Sequence, residues 1–201
     1  MSEVRSKHIE RAVVVLRNGG IVAYPTDTLY GLAVDPRLAD AVRRLFAVKG
    51  REQGHAVPLI AADVRQAEDA AVFDDCARRV AAMFWPGPLS LVLPARETIC
   101  TDIAASDGSV AVRVAAHPIA HALAAGLGFC ITATSANLTG RAPTSSPAVV
   151  SAALGDRVDF VLDGGESPGG PPSTVVDLRG PQPLLVRHGA IAWDRVLRSI
   201  E

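Results

Sequence analysis

With 201 residues, 49% of them hydrophobic and 20% charged, the chain can bury roughly 70% of its unfolded surface and is too apolar to be intrinsically disordered. Twenty Lys and Arg against 21 Asp and Glu leave a net charge of −1, which argues against sequence-blind nucleic-acid binding but allows a local basic pocket. Three widely spaced cysteines, no CxxC pair, no signal-peptide pattern and no run of ~18 apolar residues predict a cytoplasmic protein without a membrane span, one domain over 1–201, with reduced thiols and no zinc staple.

The chain opens on a predicted amphipathic helix, 7–17, its apolar stretch 12–16 set among His8, Glu10, Arg11 and Arg17, with Gly19 placed to end it. A strand at 21–24 runs into Tyr24-Pro-Thr-Asp-Thr-Leu-Tyr-Gly31, a hydroxyl-rich run that reads as a turn capped by Asp27 or as a ligand loop. Asp35-Pro36 breaks the chain before a helix at 38–48. Lys49-Gly50-Arg51 closes that helix, and these cations either complement its dipole or meet an anion.

A strand at 57–61, a helix at 75–84, the break Trp85-Pro86-Gly87-Pro88 and strands at 89–93 and 110–114 follow. Within the last of these, Arg113 stands among Val and Ala, where a guanidinium needs an internal Asp or a bound anion. His117 and His121 have the i, i+4 spacing of a metal pair but lack the glutamate of a zincin, and Pro118 marks His117 as the start of a helix at 119–125. A strand at 130–134 leaves into Thr132-Ala-Thr-Ser-Ala-Asn137, small residues that either admit a ligand to the backbone or cap a turn. Ser146-Pro147 supplies the N-cap and first residue of a helix at 148–154. A strand at 160–162 enters the glycine-rich loop 163–172, which either closes over a ligand or connects two strands. Strands at 174–178 and 184–186, spaced for a hairpin, end at Arg187 before Gly189, and a helix closes the chain.

Strands interleaved with helices, together with that hairpin, indicate an α/β (α+β) fold around a mixed sheet. No GxxxxGK[ST] loop, GxGxxG turn or GxSxG elbow is present. Lys49, Arg51, Arg113 and Arg187 could together balance most of the ~4 negative charges of a nucleoside triphosphate, arginine forks being suited to phosphate and carboxylate oxygens. Spacing alone reaches an anion-binding α/β pocket.

Eight blocks carry a more specific signal: 24–31, Lys49-Gly-Arg51, Phe84-Trp-Pro-Gly-Pro-Leu89, Val110-Ala-Val-Arg-Val114, Ser135-Ala-Asn137, Asp163-Gly-Gly165, Ser173-Thr-Val-Val-Asp177 and Arg187. In this order, over about 20–191, they resemble the successive motifs of the YrdC family of L-threonylcarbamoyladenylate synthases. The length is similar to that of the short bacterial form, which has no additional C-terminal domain. The resemblance implies a twisted mixed sheet with flanking helices around a concave basic cavity. It also implies an activity: ATP, carried with Mg2+, L-threonine and bicarbonate or CO2 give threonylcarbamoyl-AMP and pyrophosphate for the t6A modification of tRNA. The adenylate would pass to a separate tRNA threonylcarbamoyl transferase complex, with at most weak direct contact to tRNA.

Residue by residue, the resemblance implies that Thr28, Arg113 and Ser173 hold L-threonine, with Thr132 and Ala133 lining the same pocket. Arg51, Ser109, Ser135, Thr144 and Arg187 match nucleotide-contacting positions, Lys49 and Asn137 complete the KxR and SxN pairs, and Lys49 and Arg51 are the catalytic candidates. The chain departs from the pattern in Glu52 to Val57, where His55 is the candidate for the polar residue after Arg51. It also has Thr139-Gly140 where Ser-Gly is common, and Arg187-His188-Gly189 where Arg-Pro-Gly is frequent. The alternatives are an RNA-binding or ribosome-maturation module and a paralogue that transfers carbamoyl groups from another donor.

Overall fold

Ile9, Ala12, Val13 and Leu16 make an i, i+3, i+4, i+7 stripe, and all four are buried on one face of α1 (Glu3–Arg17). The computed structural model describes residues 3–50 and 56–200. After α1 come β1 (Val22–Pro25), β2 (Tyr30–Ala33), α2 (Ala39–Lys49), β3 (Leu59–Ala61), α3 (Val64–Ala70), α4 (Asp75–Phe84), β4 (Leu89–Pro94) and β5 (Ser109–Val114). Then follow α5 (Pro118–Leu127), β6 (Ile131–Thr132), β7 (Thr134–Ser135), α6 (Pro147–Leu154), β8 (Phe160–Val161), β9 (Thr174–Asp177), β10 (Leu184–Arg187) and α7 (Trp193–Arg198). The expected mixed α/β class holds, with the strands divided between two mixed sheets instead of one.

The smaller sheet has the order β7-β2-β1-β8 and the larger β10-β9-β4-β5-β3-β6. The predicted strand at 130–134 is where they separate: Ala133 falls between β6 and β7, so the chain leaves the large sheet and enters the small one within a residue. Thr132 stitches the junction. Its hydroxyl donates to Leu32 O at 3.0 Å and accepts from Val34 N at 2.9 Å, and its carbonyl accepts from the Tyr24 hydroxyl at 2.9 Å. The continuous apolar core is filled from both sheets and from α1, α2, α4 and α5.

Local signals explain most boundaries. Gly50 caps α2 with φ 60° and ψ 39°, the left-handed conformation that costs glycine least. Asp74 accepts from Ala77 N at the start of α4. Two elements depart from the expected list. The segment 24–31, expected as a loop, is a β-hairpin in which Tyr24 pairs Gly31 and Pro25 pairs Tyr30, so only residues 26–29 form the turn. Helix α3 was not expected, although Asp63 accepts from Gln66 N and the Gln66 side chain accepts from Ala62 N, a close relative of the capping box. Ser146 occupies the N-cap of α6 with Pro147 behind it, but its hydroxyl makes no capping bond.

Candidate active site

Sheet topology brings one set of strand ends together. In the large sheet β4 and β9 run parallel and begin side by side, Leu89 opposite Thr174, while β5 and β10 run antiparallel to them and end there. This puts Arg113 at the end of β5, Ser173 just before β9 and Arg187 at the end of β10 on one edge. In the small sheet the β1–β2 turn, the end of β7 at Ser135, and the exit of β8 into the glycine loop share an end for the same reason. The two ends meet where Arg113 Nη1 donates to Asp27 Oδ2 at 2.6 Å.

Arg113 is 8% exposed, and Asp27 is the internal carboxylate that such a guanidinium needs. A second cation lies close by. The Arg187 guanidinium donates to Ser173 O at 2.8 Å and Ser173 Oγ at 3.0 Å, and Ser173 Oγ lies 3.1 Å from Ser90 Oγ. Partial desolvation, reinforced by the positive charge of Arg113, holds the exposed Arg187 below the usual arginine range. Arg187 lies in the field of Arg113, and Asp27 pairs with Arg113 alone, an excess of positive charge that suits an added anion.

The hairpin turn supplies the hydroxyls. Thr26 donates to Leu29 O at 2.7 Å and lies 3.4 Å from the Thr28 hydroxyl, which leaves Thr28 at the half-buried tip of the turn. Thr28 O accepts from Gly169 N at 2.9 Å, so the glycine loop crosses over the turn. The loop is anchored at Tyr30, whose hydroxyl donates to Gly165 O at 2.8 Å and accepts from Gly164 N at 3.2 Å. Gly189 has to be glycine: a Cβ there would lie 2.4 Å from Pro172 O, Ser173 C and Thr174 N.

Beside this edge, Lys49 is 6% exposed and donates to Ser135 O at 2.6 Å and Asn137 O at 3.0 Å. The ammonium group therefore fixes the backbone of the Ser135–Asn137 segment. Asn137 donates to Leu138 O and Arg141 O, while its Oδ1 is buried without a partner. That segment borders an open pocket of about 430 Å³ whose walls include Leu138, Ala142, Val149 and Ala153, with Asn137, Thr144 and the charged Arg141 as polar groups. A mostly apolar pocket with a few convergent polar atoms is the usual form of a small-molecule site.

The structure thus gathers Thr28, Arg113, Ser173 and Arg187, and sets Lys49, Ser135, Asn137 and Thr144 next to them. Thr132 does not line a pocket with its side chain: it is fully buried, and its hydroxyl is consumed in joining the sheets. Ala133 is half-buried between β6 and β7, its amide donating to Pro58 O at 2.8 Å. Ser109 begins β5, opposite Pro94 and four residues before Arg113, or about 13 Å along the strand. Its hydroxyl donates to Asp107 at 2.6 Å, and Arg179 holds the other oxygen of that carboxylate. Arg51 and His55 lie outside the described residues. Asp27 was expected only as a turn cap; the signal for its role was the need of Arg113 for a carboxylate.

A family model named Sua5/YciO/YrdC and described as telomere recombination matches residues 14–189. A protein of Halorhodospira halophila named threonylcarbamoyl-AMP synthase is 41% identical over 162 residues, covering 80% of this chain and 84% of its own. One of the same name from Idiomarina loihiensis is 43% identical over 156 residues, covering 75% and 82%. The crystal structure of Pyrococcus abyssi Sua5 complexed with L-threonine superposes with a TM-score of 0.90 at 36% identity, over 96% of this chain and 57% of that longer one.

Proposed function

Because the chain belongs to the Sua5/YciO/YrdC family, we propose that it is a threonylcarbamoyl-AMP synthase, a nucleotidyltransferase that joins L-threonine, a one-carbon unit from bicarbonate or CO2, and the AMP moiety of ATP. The adjacent guanidinium groups of Arg113 and Arg187, at the strand ends that also carry Thr28 and Ser173, support this reading most directly. The carboxylate of L-threonine sits on Arg113, and the Thr28 and Ser173 hydroxyls orient its side chain and backbone. The pocket beside Asn137, Arg141 and Thr144 takes the nucleoside.

In the reaction, the amine of L-threonine is carboxylated and the resulting carbamate oxygen attacks the α-phosphate in line, expelling pyrophosphate. The nucleophile is already an anion at that step, so the protein acts by holding two anions in register and by neutralising charge on the transferring group. Arg187 and Arg51 supply positive charge. Lys49 keeps the Ser135–Asn137 backbone in place and adds its own charge at short range. Mg2+ arrives on the phosphates of ATP as part of the substrate. Among the described residues no group of three or more His, Cys, Asp or Glu is placed to hold a metal ion, so no step is assigned to a resident one. The adenylate then passes to a separate tRNA threonylcarbamoyl transferase complex.

The test is pyrophosphate release by the purified protein with ATP, Mg2+ and bicarbonate. Release that requires L-threonine, and that L-serine does not support equally, is expected. A folded protein that releases none would overturn the reading.

A further inference from the structure

We propose that Ser90 is a positioning residue for L-threonine: its hydroxyl donates to Ser173 Oγ and so leaves the Ser173 proton for the carboxylate of the ligand. The inference rests on the synthase reading above. Ser90 interrupts the apolar run Leu89-Ser90-Leu91-Val92-Leu93 of β4 and is 4% exposed, and a hydroxyl taken out of water costs free energy unless it is hydrogen-bonded. Among the described residues its one hydrogen-bond partner is Ser173 Oγ, at 3.1 Å.

Strand register places the pair at the site. Ser90 is opposite Val175 of β9, and Val175 is opposite Arg187 of β10; Ser173 stands two residues before Val175. Residues opposite one another in a ladder, and residues two apart along a strand, share a face of the sheet. On the other side of β4, Leu91 pairs with Val112 of β5. Ser90 precedes Leu91 and Arg113 follows Val112, so alternation turns both away from those two buried side chains and onto one face. Arg113, Ser90 and Arg187 therefore stand in one row across the strand ends, on the strands that flank and carry Ser173.

A serine hydroxyl has one proton to donate and two lone pairs to accept. Arg187 Nη2 donates into one lone pair of Ser173 Oγ at 3.0 Å, and also holds Ser173 O at 2.8 Å, while Thr174 N donates to Pro88 O at 3.0 Å. The Ser173 backbone is thus fixed, and the partner of its hydroxyl proton is what Ser90 sets. If Ser173 donated to Ser90, the Ser90 proton would be left without an acceptor at a buried position. If Ser90 donates, the proton left over is that of Ser173, which is half-buried and retains access to water or ligand. The second arrangement avoids the cost of a buried unsatisfied donor. Both lone pairs of Ser173 Oγ are then filled, so the hydroxyl has only a proton to offer: it binds a carboxylate oxygen beside Arg113 and gives nothing to an ammonium group.

The experiment measures L-threonine affinity by calorimetry, and the kinetics of threonine-dependent pyrophosphate release, in wild type, Ser90→Ala, Ser173→Ala and the double variant. In Ser90→Ala the Kd and KM for L-threonine are expected to rise roughly tenfold, the size of one hydrogen bond to a charged group, with kcat and the KM for ATP within about twofold of wild type. In the Ser173→Ala background the same change should move L-threonine affinity by less than about twofold, because the hydroxyl through which Ser90 acts is gone. Wild-type affinity in Ser90→Ala would overturn the assignment, and so would an equal loss in both backgrounds, which is the mark of a packing role alone. Ser90→Thr and Ser90→Val share a shape and differ in the hydroxyl, so they carry the test if Ser90→Ala does not fold: Ser90→Thr is expected to bind L-threonine more tightly, and equal affinity in the two also overturns the proposal. Wild type that neither binds L-threonine nor releases pyrophosphate with it would instead sink the synthase reading, and this proposal with it.

Discussion

Asp27→Asn tests the electrostatic logic of the site without changing its shape. Arg113 is 8% exposed, and its partner carboxylate lies 2.6 Å away. Arg187 already feels the positive charge of Arg113. Neutralising Asp27 leaves Arg113 without its carboxylate partner and within the field of a second guanidinium, Arg187. Removing one partner of a buried pair costs about 3–5 kcal/mol. The amide oxygen of Asn can still accept from Arg113, and the Asp27 side chain is 18% exposed, so the loss should fall nearer about 2–3 kcal/mol. At roughly 2–4 °C per kcal/mol for a domain of this size, Tm drops by about 4–12 °C. A carboxylate probe without an amine, 2,3-dihydroxybutyrate, should then stabilise the variant more than wild type, because it supplies the missing negative charge. Thermal unfolding with and without the probe measures both effects. A variant Tm within about 1 °C of wild type, or a probe shift no larger than in wild type, would refute the reasoning.

Lys49→Met removes a charged donor from Ser135 O and Asn137 O; with hydrogen bonds to charged groups contributing about 1.5–3 kcal/mol each, Tm should fall by at least several degrees and turnover with it. An unchanged melt would contradict the role of Lys49 in holding that segment. Gly189→Ala forces a Cβ to within 2.4 Å of three backbone atoms around Ser173; a loss of about 1–3 kcal/mol and weaker L-threonine binding are expected from melting curves and calorimetry. Asp159 accepts from Ile21 N at 2.7 Å and from Arg44 at 2.9 Å. Burial pushes its carboxyl up, but the Ile21 amide and Arg44 outweigh this and hold it below the usual range. A depressed carboxylate stabilises the fold above its unfolded pKa of ~3.9 and loses that contribution as pH falls through the lower folded value. Urea denaturation should therefore find Asp159→Asn less stable than wild type at pH 7, with the gap narrowing as pH falls below ~3.9.

Local signals in the chain account for much of the architecture. The stripe Ile9, Ala12, Val13, Leu16 predicts the buried face of α1, Gly50 ends α2, and the apolar runs around 57–61, 89–93 and 110–114 become β3, β4 and β5. These depend on periodicity and on backbone conformations that only certain residues adopt readily, both of which act within a few residues. The polar density of Thr26-Asp27-Thr28 obscures the β1–β2 hairpin, although Tyr30, Leu32 and Val34 alternate behind it; the local signal for α3 is confined to Asp63 and Gln66 at capping-box spacing.

The need of Arg113 for an anion could be read from its apolar neighbours, since an unpaired guanidinium in a strand is costly wherever the strand sits. The resemblance of eight motifs in order likewise pointed to the family. That Asp27 is the partner, that Arg187 lies in the field of Arg113, that Lys49 is spent on Ser135 and Asn137, and that Thr132 joins two sheets instead of lining a pocket were decided only by the tertiary structure. Each depends on pairings between segments separated by 74 to 100 residues. Such pairings are set by strand order and direction in the two sheets, and local sequence carries no record of which strand ends will meet.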